Sequence, residues 1–396
     1  MKESLAKAFV KIYGEPAQVF AQAPGRIEFI GNHTDYNGGF TMGVAIDKVV
    51  MCALSKRSDR KLCFASAKSG EKVYVDMDNI EPQPKEYNWV NYPLGMFKFL
   101  VEAGMKAETG FNMLDMSCLP SGAGLSSSAA IELSSGFAMA KLYNFDTDLK
   151  TIVRTGRKSE NFFVGMPCGI LDQGVSGFGK QDTIVFIDCL SEDFSNYPLP
   201  HTCKFWLFNS TKKHALVDGF YAERHNECMA AAKALSEGGK ERLLREFDMQ
   251  QLDAVKEKVG DVVYRRAKHV IEENARVLKA RECLEKGDIK EVGKLLCASH
   301  KSSKELFENS CEELDFLVDA VCAQNGVYGA RLSGGGFGGA VMALTDESFS
   351  QAQADGFHMR IRRRSKARID FTFKSAIRAP NPKRRNDSCA VFILQA

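Results

Sequence analysis

Apolar residues recur along this chain with two spacings, and the change from one to the other marks out its elements. Positions three and four apart are apolar over residues 1–14, which predicts a helix ended by Gly14 and Pro16. Residues 17–30 read as strand and turn, with a break at Ala23-Pro24-Gly25, and a polar loop, GNHTDYNGG, follows at 31–39. Alternation rich in Val, Met and Ala predicts strands within 40–67 and over Lys72–Met77. Asn88–Gly104 has helical spacing, Phe111–Leu119 reads as a strand, and Leu149–Asn161 as a helix. Cys168–Gly179 reads as a glycine-rich loop and Thr183–Cys189 as a buried strand. Past residue 195 the character changes. After a strand at Thr202–Asn209, helical spacing dominates Leu216–Val321, with breaks near Gly238, Gly260 and Gly287. Ala340–Leu344, Phe371–Ile377 and Ala390–Leu394 read as strands, and Met359–Asp370 as an amphipathic helix. The succession predicts an α/β chain of two domains, residues 1–195 and 196–396.

The other elements are organised around Leu119–Tyr143, LPSGAGLSSSAAIELSSGFAMAKLY. A Gly-rich turn feeds the start of a helix, where unpaired N–H groups and the helix dipole favour an anion such as a nucleotide phosphate. The same pattern also suits a serine-capped helix with no ligand. No lysine follows the glycines as a Walker-type loop requires. Residues 334–339, GGGFGG, match GxGxxG by letter, but a strand rather than a helix follows. They mark a loop where backbone approaches a ligand or another loop.

Composition narrows the class. The chain has 396 residues, 44% hydrophobic and 26% charged, and no apolar run nears the roughly 20 residues of a membrane helix. The N-terminal helix carries mixed charge and lacks the apolar core of a signal peptide. Twelve cysteines without CxxC or paired histidine spacing suggest free thiols in a reducing cytoplasm, not a disulfide framework or zinc site. Residues 358–396 hold 11 Lys/Arg and two Asp, whereas the other 357 residues carry a net charge of −6. Six basic residues in Met359–Asp370 read as a solvated face. The run lacks interleaved aromatics and the body is acidic, which argues against nucleic-acid binding.

Four polar clusters remain: Arg26 with Asn32, His33, Asp35 and Asn37; the serine-rich helix start; Glu160 with Asp172; and Gly334–Gly339. Together they hold the parts of phosphoryl transfer, which needs positioning and charge neutralisation more than covalent help. PGRIEFIGNHTDYNGG resembles the N-terminal signature of galactokinases, and LPSGAGLSSSAA the ATP-binding motif of the GHMP kinase superfamily that contains them. CGILDQ is similar to the loop with that family's catalytic Asp, and LSGGGFGGAV to its third motif. HALVDGFYAERHNEC and the run from SCEELDFLV to the glycine loop add to a resemblance covering about residues 15–345.

The resemblance implies a two-domain GHMP fold with its active site between the domains, and ATP-dependent phosphorylation of the C1 hydroxyl of galactose. It implies that Asp172 is the base or orienting carboxylate and that Arg26 stabilises transition-state charge. Asn32, His33, Thr34, Asp35, Gly169 and Tyr221 would hold the sugar, and Gly122, Ala123, Gly124, Leu125, Ser126, Ser127 and Ser128 the ATP phosphates. Ser128 and Glu160 would bind Mg2+. Trp89 is either near the adenine or a core tryptophan. A cytoplasmic monomer is expected. The chain departs from the family in its basic tail, Met359–Asp370, and in one pair of positions. Asn32 stands where the signature has Glu, and Glu28 where it has Asn. The exchange leaves open another sugar, such as N-acetylgalactosamine or arabinose, and a non-catalytic sugar sensor is the rival from another class.

Overall fold

The computed structural model describes residues 1–120, 124–210, 212, 217–356 and 392–394. The expected helix at 359–370 and strand at 371–377 lie outside these residues.

A mixed α/β architecture forms, as the spacings predict. Its large sheet holds β1 (Val19–Ile30), β2 (Phe40–Lys56), β3 (Lys61–Ser66), β4 (Lys72–Asp76), β5 (Phe111–Ser117), β6 (Thr183–Asp188), β7 (Asp193–Pro198) and β11 (Phe392–Leu394). The main path runs β11-β1-β2-β5-β3-β4, and β6 joins β2 and carries β7. Among the described residues only β3 and β5 pair in parallel. The long strand β2 serves two partners: Val50–Lys56 pairs with β5 and Phe40–Gly43 with β6. A smaller antiparallel sheet orders β8 (Lys204–Asn209), β10 (Ala340–Thr345) and β9 (Val327–Ser333).

Helices cover these sheets: α1 (Lys2–Tyr13), α2 (Asn91–Glu102), α3 (Ser127–Leu142), α4 (Leu149–Ser159), α5 (Leu171–Phe178), α6 (Val217–Leu235), α7 (Met249–Ala254), α8 (Lys256–Lys286), α9 (Ile289–Ser302) and α10 (Glu312–Cys322). Small residues in α3 let it lie close on β1 and β2, and twelve of its residues are buried. The left-handed glycines Gly14 and Gly287 end α1 and α8, as their positions in the sequence suggested. Gly260, also at positive φ, kinks α8 instead of ending it. The main core includes side chains from Val19 to Leu344, from both sides of residue 195.

Two expectations need correction. Residues 19–30 form one strand without a break at Pro24, because a register shift between Pro24 and Arg26 absorbs the proline as a bulge. The expected loop at 168–179 contains helix α5, whose glycines admit neighbours. A Cβ at Gly174 would meet Ile187 at 2.8 Å, and one at Gly177 would meet Val153 at 2.6 Å.

Candidate active site

Two connected hollows meet at one ion pair. The larger, about 1100 Å³, is lined by Gly124–Ser128, Trp89, Tyr92, Ser66, Asp115 and Ile131. The smaller, about 210 Å³, is lined by Glu28, Asn32, His33, Asp35, Gly169 and Tyr221. Arg26, Asp172, Gly334 and Gly335 border both. Strand β1 supplies Arg26 and the start of α5 supplies Asp172. Arg26 Nε donates to Asp172 Oδ1 over 2.7 Å, and its Nη2 lies 2.5 Å from the same oxygen. Arg26 Nη1 donates to the Gly124 carbonyl at 2.7 Å, which ties the pair to the turn before α3. Ser126 sits in the left-handed region at φ 51° and its hydroxyl donates to Asp172 Oδ2. Both carboxylate oxygens of Asp172 are therefore held in place.

The 31–39 loop packs its polar groups against the C-terminal half of the chain. Glu273 on α8 accepts from the Gly31 and Asn32 amides and from Ser299 Oγ. Burial would raise its carboxyl, but Arg276 and His269 hold it at about 2, so it stays ionised. His33 stands in the left-handed region, φ 59°, between Tyr36 OH at Nδ1 (2.8 Å) and the Gly335 carbonyl at Nε2 (3.1 Å). A carbonyl only accepts, so Nε2 carries the proton and Tyr36 donates to Nδ1. Burial lowers the ring to about 3 and keeps it neutral. Burial, then Asp172 and Glu28, raise Asp35 to about 7. Asp35 lies so close to Gly169 that a Cβ there would meet its Oδ2 at 2.1 Å.

A group of buried acids lies behind the α3 start. Glu160 begins a π-helical turn, Glu160–Val164, that continues α4, and it is 8% exposed. Burial and then Asp172 raise it to about 7, although the Ser128 hydroxyl hydrogen-bonds its carboxylate. Gln173 Nε2 bridges Glu160 and the fully buried Glu132 at 2.7 and 2.9 Å. Burial and Glu160 push Glu132 well above the usual carboxylate range, and its Oε1 has no hydrogen-bond partner among the described residues.

Comparison with known proteins decides the family. The galactokinase galactose-binding signature matches residues 7–56, and the GHMP kinase N-terminal and C-terminal domains match 91–180 and 280–355. The chain is 35% identical over 385 residues to the galactokinase of Limosilactobacillus reuteri, covering 95% of this chain and 97% of the relative. It is 38% identical to that of Streptococcus thermophilus, with 87% and 89% covered. The chain belongs to the galactokinase family. In structure it is similar to Lactococcus lactis galactokinase complexed with galactose, with a TM-score of 0.89, 32% identity, and 96% and 98% covered. Methanococcus jannaschii mevalonate kinase shares the fold at a TM-score of 0.62 and 20% identity.

The residues named from sequence separate into groups. Asp172, Arg26, His33, Asp35, Gly169 and Tyr221 gather on the smaller hollow, and Gly124–Ser128 on the larger. Gly122 and Ala123 lie outside the described residues. Thr34 does not face the hollow. It is fully buried and its hydroxyl lies 2.7 Å from the Gly31 carbonyl and 2.6 Å from that of Phe40, where it closes the loop. Leu125 turns its side chain into the core and offers the cleft its backbone, whose carbonyl accepts from the Arg26 amide. Ser126 is committed to Asp172 rather than free for a phosphate.

Asn32 borders the hollow with no capacity left over. Its Nδ2 donates to Glu28 Oε1 and the Gly334 carbonyl, both at 2.9 Å, and its Oδ1 accepts from Ser303 and Asn309. Sequence reasoning missed Glu28 as a lining residue, although the exchange with Asn32 pointed to it. The two exchanged side chains bond one another. Glu28 also accepts from the wholly buried Arg331 at 3.0 Å and from the Gly334 amide at 3.2 Å. Glu132 and Gln173 were missed too, and the signal was available. Glu132 is the one acid in Ser127–Leu142, four residues beyond Ser128 and so on the same helix face.

Proposed function

We propose that this chain transfers the γ-phosphate of ATP to the C1 hydroxyl of galactose. The observation that carries the reading is the Arg26–Asp172 pair at the border of the two hollows, where a phosphate in the larger one meets a sugar in the smaller. Asp172 faces the C1 hydroxyl and accepts its proton. With one oxygen on Arg26 and the other on Ser126, its chief work is orientation, in keeping with a loose transition state in which proton loss comes late. Arg26 stabilises charge on the transferring group and the new oxyanion. Glu28 and Asp35 offer acceptors to the other hydroxyls, a role Asn32 cannot take without losing bonds it already makes, while His33, engaged at both ring nitrogens by Tyr36 and the Gly335 carbonyl, shapes the pocket. Tyr221 and Gly169 complete the wall.

The amides of Gly124–Ser128 and the start of α3 face the phosphates. Ser128 and Glu160 fit a hard cation, since both are oxygen ligands and the acids around them depress one another's ionisation. Mg2+ bound there supplies the positive charge that a P-loop lysine gives elsewhere. We further propose a division of the chain near residue 195, with the cleft between the parts. A cytoplasmic monomer is our reading of the rest. Eleven cysteines among the described residues are free thiols, and no described helix is long and apolar enough to cross a membrane.

The test is ADP release with Mg2+ and a panel of galactose, N-acetylgalactosamine and arabinose. Galactose is the expected substrate, and turnover of another sugar alone would reassign it. Asp172→Ala and Arg26→Ala should each abolish sugar 1-phosphate formation with the circular-dichroism spectrum unchanged. Near-normal turnover in either variant would remove the assigned roles, and tight binding of both ligands without ADP would identify a sensor.

A further inference from the structure

Asp115 is a carboxylate with no evident task in folding. It lies on β5, the strand that runs into the Gly124–Ser128 turn, and is 7% exposed in the wall of the larger hollow. Its strand neighbours are Ser66 on β3 and Cys52 on β2. No cation pairs with it among the described residues, and its Oδ1 has no hydrogen-bond partner there. A buried carboxylate in this state lowers the stability of the free protein. Burial raises the group only to about 6, a side-chain hydrogen bond from Ser66 opposing it, so it is ionised at neutral pH. The same hollow is lined by Trp89, Tyr92 and Ile131, which present aromatic and apolar surface, and by Lys68, Ser69, Glu71 and Glu86, which present polar groups.

A carboxylate with one partnerless oxygen, in a hollow that also offers aromatic surface, suits a planar ring that carries a hydrogen-bond donor. Adenine presents its 6-amino group in this way, whereas guanine carries an oxygen acceptor at the same position. We propose that Asp115 reads the nucleotide base, its carboxylate accepting from the 6-amino group of adenine and disfavouring 6-oxo purines. The inference rests on the reading that a nucleoside triphosphate fills the larger hollow. The phosphate turn and Asp115 lie on one continuous stretch of chain, so strand β5 sets both the height of the base and that of the phosphates. A site built to hydrogen-bond an amino group rejects an analogue without it because its own polar group is then left unpaired.

The experiment compares ATP, GTP and purine riboside 5′-triphosphate, which lacks the 6-amino group, as phosphate donors at saturating galactose. Turnover of ATP by the wild type tests the function itself; only the ratios between nucleotides test Asp115. In Asp115→Val the KM for ATP should rise by roughly tenfold to a hundredfold, the value of a charged hydrogen bond. The KM for purine riboside 5′-triphosphate and that for galactose should stay within a factor of about two. The melting temperature should hold or rise, because a desolvated charge has gone. Asp115→Asn, whose amide can also donate, should move the preference toward GTP. Loss by the same factor for ATP and the desamino nucleotide, no change for either, or a fall in melting temperature with unaltered nucleotide ratios would each overturn the proposal and leave Asp115 a structural residue.

Discussion

At the scale of single residues, the exchange of Glu28 and Asn32 conserves composition while it moves a charge. The carboxylate now stands on a strand beside Arg331 rather than in the loop. Arg331 is wholly buried, and its Nε and Nη2 lack partners among the described residues, so Glu28 is its counter-ion. Removing one member of a buried pair strands the other charge, at a cost of about 3–5 kcal/mol. Glu28→Gln should therefore lower stability by that order in urea unfolding, and adding Arg331→Met should restore much of it. The exposed Arg60–Asp78 pair sets the scale, since Arg60→Ala should leave the urea midpoint almost unchanged. The sequence showed that positions 28 and 32 were unusual, but not that they touch. Residues four apart in a strand-to-loop segment meet only because the chain turns at Gly31, and the partners that saturate Asn32 come from residues 303, 309 and 334.

At the scale of elements, long periodic segments were legible and short ones were not. Helices α8 and α9 follow their 3.6-residue pattern, and Gly287 ends the first of them. Helix α5 was hidden because its glycines argue against helix by local propensity, while tertiary contacts with Ile187, Phe194 and Val153 require small residues there. Strand β7, Asp193–Pro198, is a half-exposed edge without an apolar run and gave no signal. The same demand for smallness joins α9 to β9. A Cβ at Gly329 would meet the Gly293 carbonyl oxygen at 2.0 Å, and one at Gly293 would meet that of Tyr328 at 2.1 Å. Backbone cannot swing aside as a side chain can. Gly329→Ala should lower stability by roughly 1–3 kcal/mol in urea unfolding. It should also raise the KM for galactose, because β9 leads directly into Ser333 and Gly334. An unchanged midpoint would show that the two elements separate easily.

At the scale of the whole molecule, buried acids and buried histidines act against each other. Asp35 titrates near 7 when folded and 3.8 when unfolded, so between these values only the folded chain holds the proton. Stability from this group falls as pH rises through that window, and the penalty is complete above 7. Glu160, raised to about 7, behaves likewise. His33 and His269 are lowered to about 3 and 4 by burial, so the unfolded chain takes up their protons first and stability rises with pH up to 6.5. The opposed slopes should leave the ligand-free protein with a shallow stability profile between about pH 4 and 6.5. Asp35→Asn removes one acid, and its gain in melting temperature over wild type should be larger at pH 8 than at pH 5. A gain independent of pH would show that Asp35 ionises normally.

The loop at 31–39 carries a last consequence, for the order in which the molecule is made. Its amides are held by Glu273, its Asn32 by Ser303 and Asn309, and its His33 by the Gly335 carbonyl. During synthesis from the N-terminus, that polar segment emerges some 240 to 300 residues ahead of every one of these partners. Without these partners until the ribosome has passed Gly335, it cannot take its full final shape while the chain is growing. Contacts of such sequence separation form slowly. The sugar pocket is thus a late product of folding, and a nascent chain stalled before residue 335 should carry its sheet strands but bind no galactose.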